Sequence, residues 1–175
     1  MDLSQLTVDK IRTAFPDAIV GMKDFRGERT LRITRERIVD VCRLLRDDAD
    51  LAYNYLSDLS GTDYWPAEPR FCVNYHLLSL SANYRVRLSV YLHGEDPVVA
   101  SVTAVWPAAN WMEREVYDLF GVTFTGHPDL RRILMPADWE GHPLRRDYPL
   151  GYEDVQFTHN VEQIQAGKPR PKQVS

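Results

Sequence analysis

Two runs of strictly alternating apolar residues lie in the middle of the chain. Large apolar side chains occupy every second position: Phe71, Val73, Tyr75 and Leu77, then Tyr84, Val86, Leu88, Val90 and Leu92. A period of two places such residues on one face of a β-strand. Residues 79–83 form the expected turn between the two runs. The pattern therefore predicts an antiparallel hairpin with one buried face.

The first third of the chain predicts a helix, two strands and a second helix. Leu3 to Phe15 is loosely periodic and stops at Pro16, while 18–23 and 29–34 are rich in strand-forming residues. In the second helix, apolar residues recur at i, i+3, i+4 and i+7, namely at Ile38, Val41, Cys42 and Leu45. Thr34 is the expected N-cap of this helix.

Further strands and a helix are expected downstream. The aromatic run from Leu51 to Gly61 predicts a central strand, and 98–105 predicts another that closes at Pro107. Residues 111–120 carry one apolar stripe at helical spacing. The fold class that follows is α+β, a two-layer domain with a mixed or antiparallel sheet packed by helices.

The chain length of 175 residues is enough for one compact domain with an appended segment. We divide the sequence into an α+β body at 1–126, a proline-punctuated extended arm at 127–150 and a polar C-terminal tail at 151–175. The tail contains Pro169 and Pro171, and is expected to become ordered only against a partner.

Composition argues against several classes of protein. The net charge is −4, so a nucleic-acid-binding protein is not expected. The N-terminus resembles neither an export nor an import signal. The longest apolar run, from Val98, is too short to span a membrane and contains Pro107, so membrane association would be indirect. Cys42 and Cys72 are expected to be buried thiols, too few for an iron–sulfur site.

Nucleotide-binding and catalytic motifs are missing from the sequence. It contains no glycine-rich dinucleotide or phosphate loop and no serine nucleophile elbow. His127 and His142 each precede a proline in similar frames, but a metal site needs three or four ligands, so no metal site is expected there. The high share of arginine over lysine fits either protein contacts or a GC-rich genome.

The predicted helix at 111–120 carries a dense set of charges. Glu113 and Glu115 flank its apolar stripe on opposite sides, which makes them a poor catalytic pair. Asp118 could pair with Arg114 one turn earlier, although acid after base is the weaker order and the helix dipole disfavours an anion there. The alternative, which we favour, is a partner for Asp118 outside its helix. Gly121 is the expected end of the helix.

The arm is too apolar to be a solvated linker. Four prolines at intervals of six to eight residues exclude a long helix or central strand: Pro128, Pro136, Pro143 and Pro149. Eight large apolar residues lie between them: Leu130, Ile133, Leu134, Met135, Trp139, Leu144, Tyr148 and Leu150. Two arginine pairs accompany them, Arg131–Arg132 and Arg145–Arg146. The arm therefore docks on a protein partner, folds back on its own sheet, or does both.

The stretch EREVYDLFGVTFTGHPDLRRIL, followed by MPADWEGHPLRRDYPL, closely resembles the signature of a known family. This is the 30 kDa subunit family of respiratory complex I, the C-type subunit of the proton-translocating NADH-quinone oxidoreductase. Matching residues at the family spacing are Glu113, Arg114, Glu115, Asp118, His127, Arg131, Ile133 and Leu134. The resemblance covers residues 50–150 approximately.

The resemblance implies a hydrophilic subunit without a redox centre of its own. It would lie on the cytoplasmic side of the bacterial membrane, against the quinone-site subunit of the D type. FMN and iron–sulfur clusters would belong to partner subunits that pass electrons from NADH to quinone. Some relatives serve complexes fed by other donors, so the donor is left open.

From these observations we expect a non-catalytic subunit whose arm docks on its neighbour through a buried polar network. The candidates for that network are Glu113, Arg114, Glu115, Asp118, His127, Arg131, Arg132, Arg145, Arg146 and Asp147. Arg132→Ala or Asp118→Ala is then expected to impair assembly rather than turnover. The rival hypothesis is a small acid/base or metal-dependent enzyme that uses Glu113, Asp118 and His127.

Overall fold

The computed structural model describes residues 3–149, 159 and 161–162 of the chain. The predicted polar tail thus lies almost wholly outside the described residues. The three helices are α1 (Leu3–Ala14), α2 (Ile38–Asp47) and α3 (Ala109–Phe120). The strands are β1 (Ile19–Phe25), β2 (Glu28–Ile33), β3 (Tyr55–Asp63), β4 (Phe71–Ser79), β5 (Tyr84–Leu92), β6 (Val98–Ala100) and β7 (Thr123–Thr125).

Five strands form one mixed sheet in the order β1-β2-β5-β4-β3. The predicted hairpin is confirmed, because β4 and β5 pair antiparallel over their full length, from Phe71 opposite Leu92 to Ser79 opposite Tyr84. β2 and β5 run parallel, so the sheet is mixed. The two remaining short strands, β6 and β7, pair with each other in a separate parallel sheet.

The expectation of a central strand after Leu51 was wrong. The strand begins later, at Tyr55, and β3 lies at the edge of the sheet. Polar Ser57 and Asp58 are exposed there, and the pairing with β4 is interrupted between Leu56 and Asp58. Exposed polar residues and irregular pairing are typical of an edge, where they discourage association with other strands.

All three helices pack on one face of the five-stranded sheet, which makes the domain two-layered. The inward strand residues include Tyr75 and Leu88, both fully buried, and they join one core with the apolar sides of the helices. Val8 and Ile11 of α1 belong to this core, as does Val116 of α3. Cys42 and Cys72 are buried free thiols, as expected.

Two local predictions failed for identifiable reasons. Thr34 makes no side-chain capping hydrogen bond; a 3₁₀ turn at Arg35–Arg37 leads into α2 instead. The strand expected over 98–105 stops at Ala100. Its continuation turns away because the backbone N–H of Val102 donates to the Glu113 carboxylate at 2.7 Å rather than to a neighbouring strand.

A glycine sets the distance between α3 and the sheet. Gly61 of β3 faces the helix, and a Cβ built there would lie 2.7 Å from Cδ2 of Phe120 and 3.1 Å from Cγ1 of Val116. Real Cβ contacts do not reach 2.7 Å, so only glycine admits this close approach. The approach positions the C-terminal half of α3, which carries Asp118.

Candidate interface on helix α3 and the arm

Asp118 finds its partners outside its own helix. Its carboxylate accepts hydrogen bonds from Nη1 of Arg132 at 2.7 Å and from the N–H groups of Ile133, Leu134 and Met135 at 3.0, 2.8 and 2.8 Å. The residue is fully buried. Burial by itself would raise the pKa of Asp118, yet these donors together hold it below its ordinary value. The expected external partner is therefore confirmed, and it belongs to the same chain.

Arg114 does not form the ion pair with Asp118 that helical spacing would permit. Its guanidinium donates instead to the backbone carbonyls of Arg131 at 3.1 Å and Arg132 at 3.2 Å. The same group lies 5.1 Å from the ring centroid of Trp111. Arg114 therefore fastens residues 131–132 of the arm to α3, and Asp118 holds residues 133–135, which follow directly.

Arg132 ties two parts of the arm to the end of α3. Besides the Asp118 carboxylate, its Nη1 reaches the Asp118 carbonyl at 3.3 Å. Its Nη2 donates to the carbonyls of Trp139 and Gly141, each at 3.0 Å. His142 shares the Asp118 carbonyl through Nδ1 at 2.9 Å. A planar guanidinium with several donors suits this role better than an ammonium group.

The arm also satisfies the last carbonyls of α3, which have no partner within the helix. The N–H of Leu144 donates to Leu119 at 3.1 Å, and Nε of Arg145 donates to Phe120 at 2.7 Å. Gly121 ends the helix as predicted, with a φ of 76°. The arm thus acts as an extended C-terminal cap of α3.

Glu113 lies on the opposite side of α3 in a buried polar cluster. Its two oxygens accept from the Ser101 hydroxyl at 2.6 Å and the Val102 N–H at 2.7 Å. Burial raises the pKa of Glu113 to about 7, and these two hydrogen bonds only partly offset it. The side chains of Glu113 and His127, 4.0 Å apart, have no exposed surface.

His127 anchors the beginning of the arm as a neutral imidazole. Its Nδ1 accepts the N–H of Asp129 at 3.0 Å and must therefore be unprotonated. The proton is then on Nε2, which donates to the Asn110 carbonyl at 3.1 Å. Both ring nitrogens are used within the chain.

The far end of the arm is held by two residues that sequence reasoning missed. Arg70 binds both oxygens of Asp63, at 3.0 and 2.9 Å, and both oxygens of Asp147, at 3.0 and 2.5 Å. Asp63 also accepts the N–H of Arg146 at 2.8 Å. No local pattern reveals this cluster, because it joins the ends of β3 and β4 to residues more than seventy positions later.

Three of the ten candidate residues contribute little or nothing to the buried network through their side chains. Glu115 is exposed on α3. Arg131 is 71% exposed and pairs with Asp129 only. Arg146 contributes its backbone N–H, while the residue as a whole is exposed.

Large apolar side chains remain on the outer surface of α3 and the arm. We name these four residues the outer ridge: Trp111, Leu134, Trp139 and Leu144, exposed by 63, 60, 39 and 52%. The inner side of the arm is bound to the body, so its outer side alone is available to another molecule. Large apolar side chains that stay exposed on one segment are typical of interaction surfaces.

The described residues contain neither a metal-binding cluster nor a membrane-spanning helix. Among residues 3–149, no group of three or more His, Cys, Asp or Glu side chains could hold a metal ion. None of the helices described is long and apolar enough to cross a membrane.

Comparison with known proteins identifies the family of this chain. Residues 31–154 match the family described as the 30 kDa subunit of respiratory-chain NADH dehydrogenase. The chain belongs to this family. It is 52% identical to the NADH-quinone oxidoreductase C subunit of Roseiflexus sp. (strain RS-1), over 99% of this chain and 100% of that one. The corresponding C subunit of Geobacter sulfurreducens (strain PCA) is 49% identical over 82% of this chain and 88% of its own length.

Two solved structures share the fold of this chain. A trypsin-resistant fragment of Nqo5 superposes with a TM-score of 0.62 and 33% identity, over 73% of this chain and 99% of the fragment. A chain of a membrane-bound sulfane sulfur reductase, an archaeal respiratory complex, shares the fold with a TM-score of 0.69 at 23% identity, over 83% and 85% of the two chains. In this member of the 30 kDa subunit family, Glu113, Asp118 and His127 are each hydrogen bonded to other parts of their own chain.

Proposed function

We propose that this chain is a non-catalytic peripheral subunit of the proton-translocating NADH-quinone oxidoreductase, required for assembly against the quinone-site subunit. In this proposal the complex passes electrons from NADH through FMN and iron–sulfur clusters of partner subunits to quinone, coupled to proton translocation. The subunit lies on the cytoplasmic side of the bacterial membrane and reaches the membrane through its partners. Family membership and the names of the relatives support this role.

The burial of the acidic cluster favours a structural role over catalysis in this chain. Glu113 and Asp118 are fully buried, and the His127 side chain has no exposed surface. Each is hydrogen bonded to groups of its own fold. A general acid or base must reach a proton on its substrate, and these groups have no access to one. The rival acid/base enzyme is therefore not favoured.

The outer ridge is the observation that carries the assembly role. Exposed Trp and Leu side chains stand on a segment whose inner side is fixed to the body by Asp118, Arg132 and Arg145. A rigid apolar surface binds a partner without the entropy cost of ordering a loose segment. Large aromatic residues also dominate the binding energy of many protein interfaces.

The polar network affects assembly only indirectly, by fixing the position of the arm. Asp118→Ala or Arg132→Ala would disturb the chain's own arm and thereby the surface that it presents. Loss of assembly in these variants would not separate a partner contact from misfolding. Substitution of an exposed residue of the outer ridge distinguishes a partner contact from misfolding, because it leaves the buried network intact.

Leu134→Asp in the native organism is the decisive test. Leu80→Asp is a matched control, because both leucines are 60% exposed and Leu80 lies in the turn between β4 and β5, away from the arm. We expect Leu134→Asp to reduce the amount of assembled complex on a native gel, while the complexes that do form turn over NADH normally. Full assembly of the Leu134→Asp variant, or equal loss in both variants, would contradict the proposal.

A further inference from the structure

The sheet has a second face that none of the three helices covers. Strand register defines it: Thr30, Arg87 and His76 lie side by side across β2, β5 and β4, and Arg32, Ser89 and Asn74 form the next row. These residues alternate with the core residues of the same strands and point away from the helices. We name this surface the open face. It is distinct from the outer ridge on α3 and the arm.

The open face carries more positive than negative charge. Its cations are Lys23, Arg32, Arg85 and Arg87, and its carboxylates are Glu28 and Asp58. Arg87 pairs with Glu28 at 3.2 Å. Lys23, Arg32 and Arg85 have no carboxylate within 4.0 Å in the part of the chain described here.

The excess of positive charge on the open face is unusual for this molecule. The chain as a whole has a net charge of −4. Elsewhere cations are mostly paired with carboxylates or backbone carbonyls, as Arg70, Arg132 and Arg145 are. A face whose charge is opposite to that of its chain points to a partner of negative charge.

A cleft on this face supplies hydrogen-bond donors for such a partner. The cleft has a volume of about 300 Å³, and its lining includes the cations Arg85 and Arg87 as well as the carboxylates Glu28 and Asp58. Nε of Arg87 is buried and has no hydrogen-bond partner among the described residues. An unbonded guanidinium N–H is costly to bury, and a carboxylate is its natural acceptor.

The rest of the open face favours a protein rather than a small ligand. Arg32 lies 4.3 Å from the ring centroid of Tyr91, and Tyr91 stacks with Tyr64 at 6.0 Å. Between these large side chains the face carries the half-buried Thr30, and Ser89 next to it is buried and hydrogen bonded to Asn74. Tyr and Arg around a polar, flat surface are typical of an interface matched by charge.

We propose that the open face binds an acidic segment of a second protein subunit, whose carboxylates pair with Arg32, Arg85 and Arg87. This interface is additional to the outer ridge and depends on the proposed function only in that the chain acts within an assembly. The chain would then join two neighbours, one by apolar contacts and one by charge.

Lys23 provides the direct test. Lys10 and Lys23 are the lysines among the described residues, and Lys23 is the one of these two on this face, so zero-length carbodiimide coupling of the purified complex can be read at that residue. We expect mass spectrometry to find Lys23 joined to an Asp or Glu of another subunit. Double substitution with Arg32→Glu and Arg85→Glu should lower the yield of that product roughly tenfold or more, since like charges then face each other.

Arg12→Glu is the matched control, because Arg12 is an exposed arginine on α1 without an ion pair among the described residues. The proposal is overturned if Lys23 couples within its own chain only, or if the double variant keeps the intersubunit product. It is also overturned if the double variant keeps all its subunits but loses binding to phosphatidylglycerol vesicles, which would assign the face to a lipid surface. Leu134→Asp, tested in parallel, reports on the outer ridge separately.

Discussion

Arg132 holds Asp118 twice, through the side-chain carboxylate at 2.7 Å and through the backbone carbonyl at 3.3 Å. The Asp118 side chain is fully buried and that of Arg132 is 18% exposed. One guanidinium therefore neutralises a buried charge and caps the end of α3 at the same time. This relationship makes residues 127–149 part of the fold rather than a linker.

Removal of the Asp118 carboxylate should destabilise the chain strongly. Asp118→Ala leaves the guanidinium of Arg132 without its ion-pair partner and three N–H groups without an acceptor, which costs about 3–5 kcal/mol in comparable buried pairs. Urea unfolding of the purified chain measures the loss. Glu115→Ala is the control on the same helix, with an exposed carboxylate and an expected change within about 0.5 kcal/mol. Equal effects of the two substitutions would show that the Asp118 network contributes no stability.

Glu113 should make stability fall as pH rises. Its pKa in the folded chain is about 7 against an ordinary value of 4.5. The folded chain therefore binds the proton more tightly than the unfolded chain. The contribution is complete below about pH 4.5 and is lost through pH 7, on the order of 3 kcal/mol.

Glu113→Gln keeps the shape of the side chain but cannot ionise. The difference in unfolding free energy between about pH 5 and about pH 8 should therefore be smaller in the variant than in the parent chain. Urea titrations at the two pH values provide the measurement, and the parent chain corrects for all other titrating groups. Parallel pH profiles would rule out Glu113 as the source of the dependence.

A side chain at position 61 should destabilise the folded chain. The Cβ of Gly61→Ala would lie 2.7 Å from the Phe120 ring, so α3 must move away from β3. Overpacking of this kind costs about 1–3 kcal/mol. Gly21→Ala is the control, because a Cβ there meets Arg32 at an ordinary 3.5 Å. Thermal unfolding should separate the two variants, and a Gly61→Ala chain as stable as Gly21→Ala would contradict the close packing.

Arg70 should matter more than Asp147, although the two are paired. Arg70→Ala leaves the Asp63 carboxylate, 1% exposed, without a cation, which we expect to cost about 3 kcal/mol or more. Asp147→Asn removes a charge that is 41% exposed, with an expected cost below about 1 kcal/mol. Hydrogen exchange at the Arg146 amide, which binds Asp63, should accelerate far more in the first variant. Faster exchange in Asp147→Asn than in Arg70→Ala would show that Asp147, and not Arg70, is the anchor.

Helices and strands could be predicted from the sequence because the spacing of their apolar residues is a local property of the chain. Alternation over 71–92 predicted β4 and β5, and the apolar stripe with Gly121 predicted the body and end of α3. The opposite orientation of Glu113 and Glu115 also followed from helical geometry. Even the poor fit of Asp118 to its own helix indicated a partner elsewhere in space.

Tertiary structure alone decided where the predicted elements lie and which residues they contact. Whether β3 lies at the edge or the centre depends on which strands pair, and its own residues do not specify this. Asp63 and Arg70 became visible only when folding brought Asp147 beside them. The sequence by itself determined the helices, the hairpin, the family signature and the apolar, arginine-rich character of the arm. Long-range pairing decided that Arg114 and Asp118 bind the chain's own arm, because buried charges take the nearest partner that the packed fold supplies.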